Sequence, residues 1–242
     1  MGIIDVSAMS AKAFNWAAID TLPTAAWRAE AGAVAESDPT FRQVATTPRS
    51  LSFYFKVSRE LLADAVNMEE ALNFAIAQAF GKELDRTALR GSGSAPEPAG
   101  ILNTTNVGSV TNGANGATQS SLRWANLHSA VQTILSYDAP MPTAAIMAPR
   151  TLVGYSALAD STNQPLARPE ALKNMQFIAT SQLPVSLSVG TSSDCSEVFV
   201  GDFRQAAVVL REAPNIMLAN ELHALTGQVG FVCHVRADIA VL

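Results

Sequence analysis

The chain has 242 residues, of which 48% are hydrophobic and 15% charged, and its formal net charge is −5. That is enough apolar material for one large core or two small ones, and it excludes a disordered chain. The 16 basic residues are scattered without a dense run against 21 acidic ones, which excludes a free-standing nucleic-acid binder built on a basic face.

Residues 1–19 are rich in Ala and Ser and read as an irregular or partly helical arm. A weak extended run follows over 25–30 and continues over 41–46. Then Leu51, Phe53, Phe55 and Val57 alternate with Ser52, Tyr54 and Lys56, a strong strand pattern. Between the extended runs, residues 31–40 are small, acidic and turn-rich (Gly32, Glu36, Asp38, Pro39). The simplest geometry is a long hairpin with a polar tip. A two-stranded hairpin is marginal in water and its edges are open pairing templates. Such an arm must lie on its own domain or on a neighbouring subunit; a plain surface loop also fits the residues.

Ser58 opens a helical turn over 58–66. Asn67 then caps a longer helix, with Glu70 in capping-box position. Leu72, Ile76, Phe80 and Leu84, with Ala75 and Ala79, make one apolar stripe. The helix over 68–90 spans about 34 Å at 1.5 Å per residue. Gly91-Ser92-Gly93-Ser94 ends it, followed by Pro96, Pro98 and Gly100.

Residues 103–120 read as loop or short strand. A helix starts at Ser121 and shares Trp124, Leu127, Val131, Ile134 and Leu135 on one face. Next come a strand over 144–148, a helix over 150–159, a turn over 160–169, an extended piece over 177–180 and a polar loop over 186–196. Strands are expected over 198–200 and 206–211, and again over 225–235 and 239–242. Helices and strands mix without a regular βαβ repeat, so the fold class is α+β, and there is no internal repeat of useful length.

Reactive chemistry is sparse. Gly81-Lys82 lacks the upstream Gly of a phosphate loop, and Gly91-Ser92-Gly93 ends a helix instead of opening one. There is no G-x-S-x-G elbow and no S-x-x-K. His128, His223 and His234 are isolated, without ligand spacing, so no metal is expected and no cofactor is implied. Cys195 and Cys233 make no disulfide framework and read as free, buried thiols in a reducing compartment. No apolar run reaches the ~18 residues of a membrane span. The first 18 residues carry Asp5 and no basic n-region, so they are not a signal peptide. The expectation is a soluble protein made in the cytoplasm.

One cluster has two readings. Glu30, Glu36 and Asp38 sit near the hairpin tip, with Phe41 close by. They are either a solvated, charged turn or acidic contacts to Arg on an identical subunit. Arg42, Arg49, Arg59 and Arg211 are the candidate partners.

The order of features resembles a known family. Ala26-Trp27-Arg28-Ala29-Glu30, then Glu36-Ser37-Asp38-Pro39-Thr40-Phe41, then Val57-Ser58-Arg59-Glu60-Leu61-Leu62-Ala63-Asp64 are similar to the extended-loop region of tailed-bacteriophage major capsid proteins. These share the shell fold first described for phage Hong Kong 97. The helix over 68–90, with Leu89-Arg90-Gly91-Ser92-Gly93 and Pro98-Ala99-Gly100-Ile101-Leu102, resembles that family's spine helix and the loop after it. Met147-Ala148-Pro149-Arg150, Gln164-Pro165-Leu166, Val200-Gly201-Asp202-Phe203, Leu210-Arg211 and Val235-Arg236-Ala237-Asp238 continue the series in order. It covers about residues 20–242.

The resemblance implies a structural role and no enzyme activity. Copies would form hexamers and pentamers that close an icosahedral shell around double-stranded DNA in a virion. Scaffold or portal proteins would take part in assembly, DNA would be contacted weakly, and no membrane is involved. It implies an N-terminal arm and extended hairpin loop (1–57), a peripheral domain (58–110 plus 205–242) with its spine helix (68–90), and an axial domain (111–204). The hairpin would lie on the adjacent subunit, and the acidic balance suits a container that does not grip its DNA.

Two features depart from the family pattern. Many members carry a long N-terminal scaffolding segment that a protease removes, whereas this sequence begins close to the arm; a mature form, a trimmed form and a prophage remnant with a separate scaffold all fit. Some members link a Lys of the extended loop to an Asn of a neighbour, but the matching position here is near Val34 and residues 28–50 contain no Lys. No self-crosslinking is therefore expected. Two rivals stand beside the capsid reading: an encapsulin-type shell of the same fold enclosing enzymes, and a small-molecule enzyme or binding protein with its site between the 121–136 helix and the strand near Ala144.

Overall fold

A computed structural model describes residues 1–7 and 13–241. The N-terminal segment is extended where described: β1 (Gly2–Asp5) and β2 (Phe14–Thr21) replace the expected partly helical arm, and residues 8–12 of that arm lie outside the described residues. Tertiary pairing overrides the small-residue composition here. β3 (Thr40–Thr46) and β4 (Arg49–Ser58) follow, then α1 (Arg59–Asp64) with Ser58 at its N-cap position. Residues 25–30 form no strand; the hairpin's first strand is β2, because Phe14, Trp16 and Ala18 present an alternating face that the Ala-rich 25–31 segment lacks.

α2 (Met68–Arg90) has the expected bounds. After it come α3 (Trp124–Ser136), β5 (Ala144–Met147) and α4 (Pro149–Ser156). α4 starts at Pro149, whose fixed φ suits a first helical position. β6 (Gln176–Ala179) is next, and the supposed polar loop over 186–196 holds a small hairpin of β7 (Leu187–Val189) and β8 (Ser192–Cys195). Gly190, at φ +58, makes its turn. β9 (Val198–Gly201), β10 (Ala206–Ala219) and β11 (Gln228–Val241) complete the chain, and the last two are each 14 residues, longer and more continuous than the sequence pattern suggested. Leu242, the end of the expected last strand, lies outside the described residues.

The chain divides into two units. The first comprises Met1–Glu69, Ser94–Pro98 and Ala206–Leu242. Its four-stranded sheet has the order β1-β10-β11-β4, with β1 parallel to β10 and the other pairs antiparallel. Val6, Phe14, Val209 and Ala240 form a core cluster, with Trp16 packed against it.

The second unit comprises Glu70–Gly93 and Ala99–Gln205. Its three-stranded sheet has the order β6-β5-β9, with β5 parallel to β6 and antiparallel to β9. Leu127 and Val131 of α3, Ala145 and Met147 of β5, Tyr155 of α4, and Leu172 and Met175 form one core cluster. Trp124 stacks at a tilt near Tyr155, with ring centroids 5.3 Å apart. A second cluster joins Leu89 at the end of α2 to Ala148, Leu183 and Phe199. Along α2, Ile76, Phe80, Thr87, Ala88 and Leu89 are buried, while Ala75, Ala79 and Phe74 are exposed. The stripe expected from spacing is thus only partly covered within the chain.

Candidate assembly surface

β2 and β3 pair antiparallel as a two-stranded sheet of their own, from Phe14 opposite Thr46 to Thr21 opposite Thr40. Period-two alternation gives it two unequal faces. Phe14, Trp16, Ala18, Arg42, Val44 and Thr46 are buried or half-buried; Asn15, Ala17, Ile19, Phe41, Gln43 and Ala45 are exposed. At the root, the Trp16 indole N–H donates to Thr46 Oγ1 at 3.1 Å, and the Thr46 hydroxyl donates to the Phe14 carbonyl at 3.3 Å. At the far end the Thr21 and Thr40 hydroxyls lie 2.6 Å apart.

Beyond them, residues 22–39 form a loop without helix or strand. The Thr24 N–H donates to Ser37 Oγ at 2.8 Å, and Arg28 Nη1 donates to the Gly32 carbonyl at 2.7 Å. Ala31 has φ +61. All but one of the loop's residues are exposed, including Leu22, Val34 and a Trp27 at 105% of its reference area. A loop of this length without its own structure inside a folded chain is unusual and tends to be functional. An indole standing fully in water gains nothing from the hydrophobic effect, which would favour its burial by about 2–3 kcal/mol.

The sequence-predicted residues fall as follows. Glu30, Glu36 and Asp38 are exposed on the loop, and Phe41 is exposed at the start of β3. With Arg28 they give the loop three acidic side chains and one basic. Arg42 is half-buried on β3 opposite Ala18. Arg59 is exposed at the head of α1, its backbone N–H donating to the Gly227 carbonyl at 3.0 Å. Arg49 and Arg211 are half-buried and engaged within their own subunit. Arg49 is opposite Ala237, and its charge partly offsets the upward push that burial gives the nearby Asp238 carboxyl. Arg211 Nη1 donates to the Val6 carbonyl at 3.4 Å, and its guanidinium lies 5.8 Å from the Phe14 ring centre.

The surface therefore exposes apolar and acidic groups but shows no reactive constellation. Among the described residues no group of His, Cys, Asp and Glu could hold a metal ion. Leu127 and Val131 pack in one core with Ala145 and Met147, so the space suggested for a small-molecule site is solid. The nearby groove lined by His128, Val131, Gln132, Leu135, Ser136 and Ala171 is wide open and mostly apolar. No helix among the described residues is long and apolar enough to cross a membrane.

The sequence pattern of the phage capsid family matches residues 1–242, the whole chain. The chain belongs to the phage capsid family. It is a structural major capsid protein of a phage-like particle.

Solved structures share its fold. The structure from Mycobacterium phage Bobi is 16% identical with a TM-score of 0.73, over 99% of this chain and 82% of that one. The capsid of an empty GTA particle, computed with C5 symmetry, is 18% identical with a TM-score of 0.76, over 99% and 84%. The capsid of Myoviridae phage XM1 is 12% identical with a TM-score of 0.64, over 100% and 86%. No curated protein sequence matches the chain.

For a capsid protein, the apolar residues are as important as the charged ones, and sequence reasoning passed over several. Ile216, Met217, Leu218, Leu222 and Leu225 are exposed at the end of β10 and in the connection to β11. Ile216 is opposite Cys233 and Leu218 opposite Phe231; Phe231 in turn stacks on Phe55 at 5.0 Å. Residues 212–219 carried a signal, the apolar run Ile216-Met217-Leu218, but Pro214 two positions before it hides its continuity with the strand from Ala206.

Proposed function

We propose that copies of this chain form hexamers and pentamers that close an icosahedral shell around double-stranded DNA, as the capsid of a tailed phage or prophage. One observation carries the reading: a capsid-family chain extends a hairpin whose loop leaves Leu22, Trp27 and Val34 in water. Large apolar groups left uncovered on one loop support an interaction surface, and a sibling subunit is the partner always present in a growing shell.

In this reading β2, β3 and the 22–39 loop drape over the adjacent subunit. Glu30, Glu36 and Asp38 approach Arg42 or Arg59 of that neighbour, since Arg49 and Arg211 are engaged within their own subunit, while Phe41 packs beside them. α2 serves as the spine of a peripheral domain (58–110 plus 205–242), and residues 111–204 form the axial domain. The chain is made in the host cytoplasm, takes part in assembly with scaffold or portal proteins, has no enzymatic role, and touches packaged DNA weakly, its net charge of −5 opposing tight binding.

Electron microscopy of the purified protein, with light scattering, tests this directly. Rings or closed shells are expected. A stable monomer at all concentrations, or shells that co-purify with an enzyme held by a loading peptide, would overturn it.

A further inference from the structure

Where β3 ends and β4 begins, the chain passes from the two-stranded sheet of the hairpin into the four-stranded sheet of the first unit. That corner, Thr46-Thr47-Pro48, is held by side chains far away in sequence. Thr46 is fully buried, and its hydroxyl accepts from Trp16 Nε1 and donates to the Phe14 carbonyl. Both groups belong to β2, so the hydroxyl ties the two strands at their root. One residue on, the Thr47 N–H donates to Asp238 Oδ2 at 2.5 Å. Asp238 is 8% exposed, sits on β11, and accepts the Ile239 N–H on its other oxygen at 2.8 Å. Arg236 Nη2, also on β11, points at the Pro48 carbonyl at 3.5 Å.

We propose that Asp238 and Thr46 form a buried pivot that fixes the direction in which the extended hairpin leaves its own subunit, making them positioning residues for assembly. A carboxylate is a costly choice for a buried strand position, where an apolar side chain would pack without desolvation. Burial pushes the Asp238 carboxyl above its ordinary range, against two backbone N–H bonds and the charge of Arg49. The group therefore contributes little as a source of stability. It supplies a directional bond to one N–H, at a corner where a small rotation would swing the loop. Hinges form at a few loop or strand-end residues that absorb changes in φ and ψ, and hydrogen bonds to this corner restrict those changes. The hairpin's covered face adds Phe14 to the core cluster with Val209 and Ala240, but nonpolar packing of that sort is non-directional and leaves the aim to the hydrogen bonds.

The consequence for assembly rests on the draped-hairpin reading above; the pivot itself does not. The test measures aim in the unassembled full-length chain. Ala35→Cys in the exposed loop and Ser52→Cys on the exposed side of β4 carry spin labels, and the distance distribution between them is recorded by pulsed electron resonance; the native Cys195 and Cys233 are buried. The wild-type background is expected to give a single narrow distribution. Asp238→Leu, which removes both acceptor oxygens at similar volume, Thr46→Val and Trp16→Phe are expected to broaden it roughly twofold. Thr46→Ser, which keeps the hydroxyl, is expected to restore the narrow distribution. A merely structural role would lower the thermal midpoint without changing the width. Trp16→Phe removes the indole N–H at a half-buried position and keeps an aromatic ring of smaller size against the core cluster, so it remains informative where a buried substitution fails to fold. Unchanged width in folded Trp16→Phe and Asp238→Leu would overturn the proposal. If the widths respond but no condition yields shells, the pivot stands and the capsid-assembly reading fails; if shells form normally and the widths do not respond, the pivot alone fails.

Discussion

Nε of Arg90 lies 3.0 Å from Oε2 of Glu197, yet neither atom has a hydrogen-bond partner. The two charges face each other at ion-pair distance without the alignment a hydrogen bond needs. Arg90 is in the last turn of α2, where a cation also suits the helix dipole. Glu197 stands just before β9. The pair thus fastens the end of the longest helix to the three-stranded sheet of the second unit.

Burial raises the Glu197 carboxyl above its ordinary value of 4.5, and the Arg90 charge works against that rise. The folded state therefore takes up a proton at higher pH than the unfolded chain does. The contribution of this group to stability grows as pH falls through the folded pKa and is complete below 4.5. Glu197→Gln removes this dependence, so the wild-type midpoint minus the variant midpoint is expected to increase as pH is lowered from about neutral toward that value. Arg90→Ala leaves the carboxylate facing no charge. At neutral pH it is expected to cost about 1–3 kcal/mol, less than a fully buried pair because both side chains keep some solvent contact. Thermal melts across the pH range check both.

Gly100 packs against the closing turn of the same helix. Its N–H donates to the Gly91 carbonyl at 2.9 Å, and the Gly91 N–H donates to the Thr87 carbonyl at 2.8 Å. A Cβ at position 100 would stand 2.4 Å from both the Gly91 nitrogen and the Thr87 oxygen. These are backbone atoms and cannot rotate aside. Gly100→Ala is expected to lose about 1–3 kcal/mol, toward the upper figure, whereas Gly81→Ala, with open space around its Cβ position, is expected to be neutral or slightly stabilising. Denaturant titration of the pair separates close approach from mere helix propensity.

These elements show what was legible in the sequence. α2 was readable to the residue, because a four-residue apolar spacing ended by a Gly-Ser run has one interpretation. The hairpin was readable as an object but not in register. Its first strand is β2, and the alternation of Phe14, Trp16 and Ala18 was masked by surrounding Ala and Ser. β1 was invisible because four residues gain strand character only from parallel pairing with β10. The acidic tip was visible as charge, whereas the exposed Trp27, Leu22 and Val34 beside it were not, since a sequence cannot say which apolar residues stay uncovered. Asp238 drew attention only within a run resembling the family. Its role at the corner depends on a contact across 191 positions, which no local pattern encodes.

Both cysteines are free and buried, and burial pushes the Cys233 thiol up from its ordinary pKa. The thiolate is the reactive form, so native Cys233 is expected to resist alkylation. A colorimetric thiol reagent should titrate neither cysteine in the native chain and both after denaturation. Fast modification of Cys233 in the folded protein would show that β11 opens locally.

Trp27 separates stability from assembly. Its side chain is wholly in solvent in the single chain, so Trp27→Ser is expected to shift unfolding by less than about 0.5 kcal/mol. If the loop is covered by a sibling, the same substitution removes a large buried aromatic from the interface, where such residues commonly cost 2 kcal/mol or more, about 30-fold in affinity. Light scattering against concentration, beside a thermal melt of the same sample, reads the two effects. Equal assembly by wild type and variant would remove Trp27 from the interface.

A covalent crosslink requires an amine on the loop. The chain has only four Lys, Lys12, Lys56, Lys82 and Lys173, and residues 22–39 contain none. The resemblance puts the position of the family's crosslinking Lys near Val34, and the aliphatic side chain there has no nucleophile to attack an amide. Shell cohesion would then be wholly noncovalent, resting on apolar cover of the loop and on weakly screened charge pairs. Assembled particles boiled in detergent are expected to run as a single band at the monomer mass of 25.5 kDa. Bands at multiples of that mass, persisting under reducing conditions, would show that a Lys outside the loop reaches a neighbour's amide and overturn the expectation. Val34→Lys provides the converse: ladders in that variant alone would place the loop tip against an amide of the adjacent subunit.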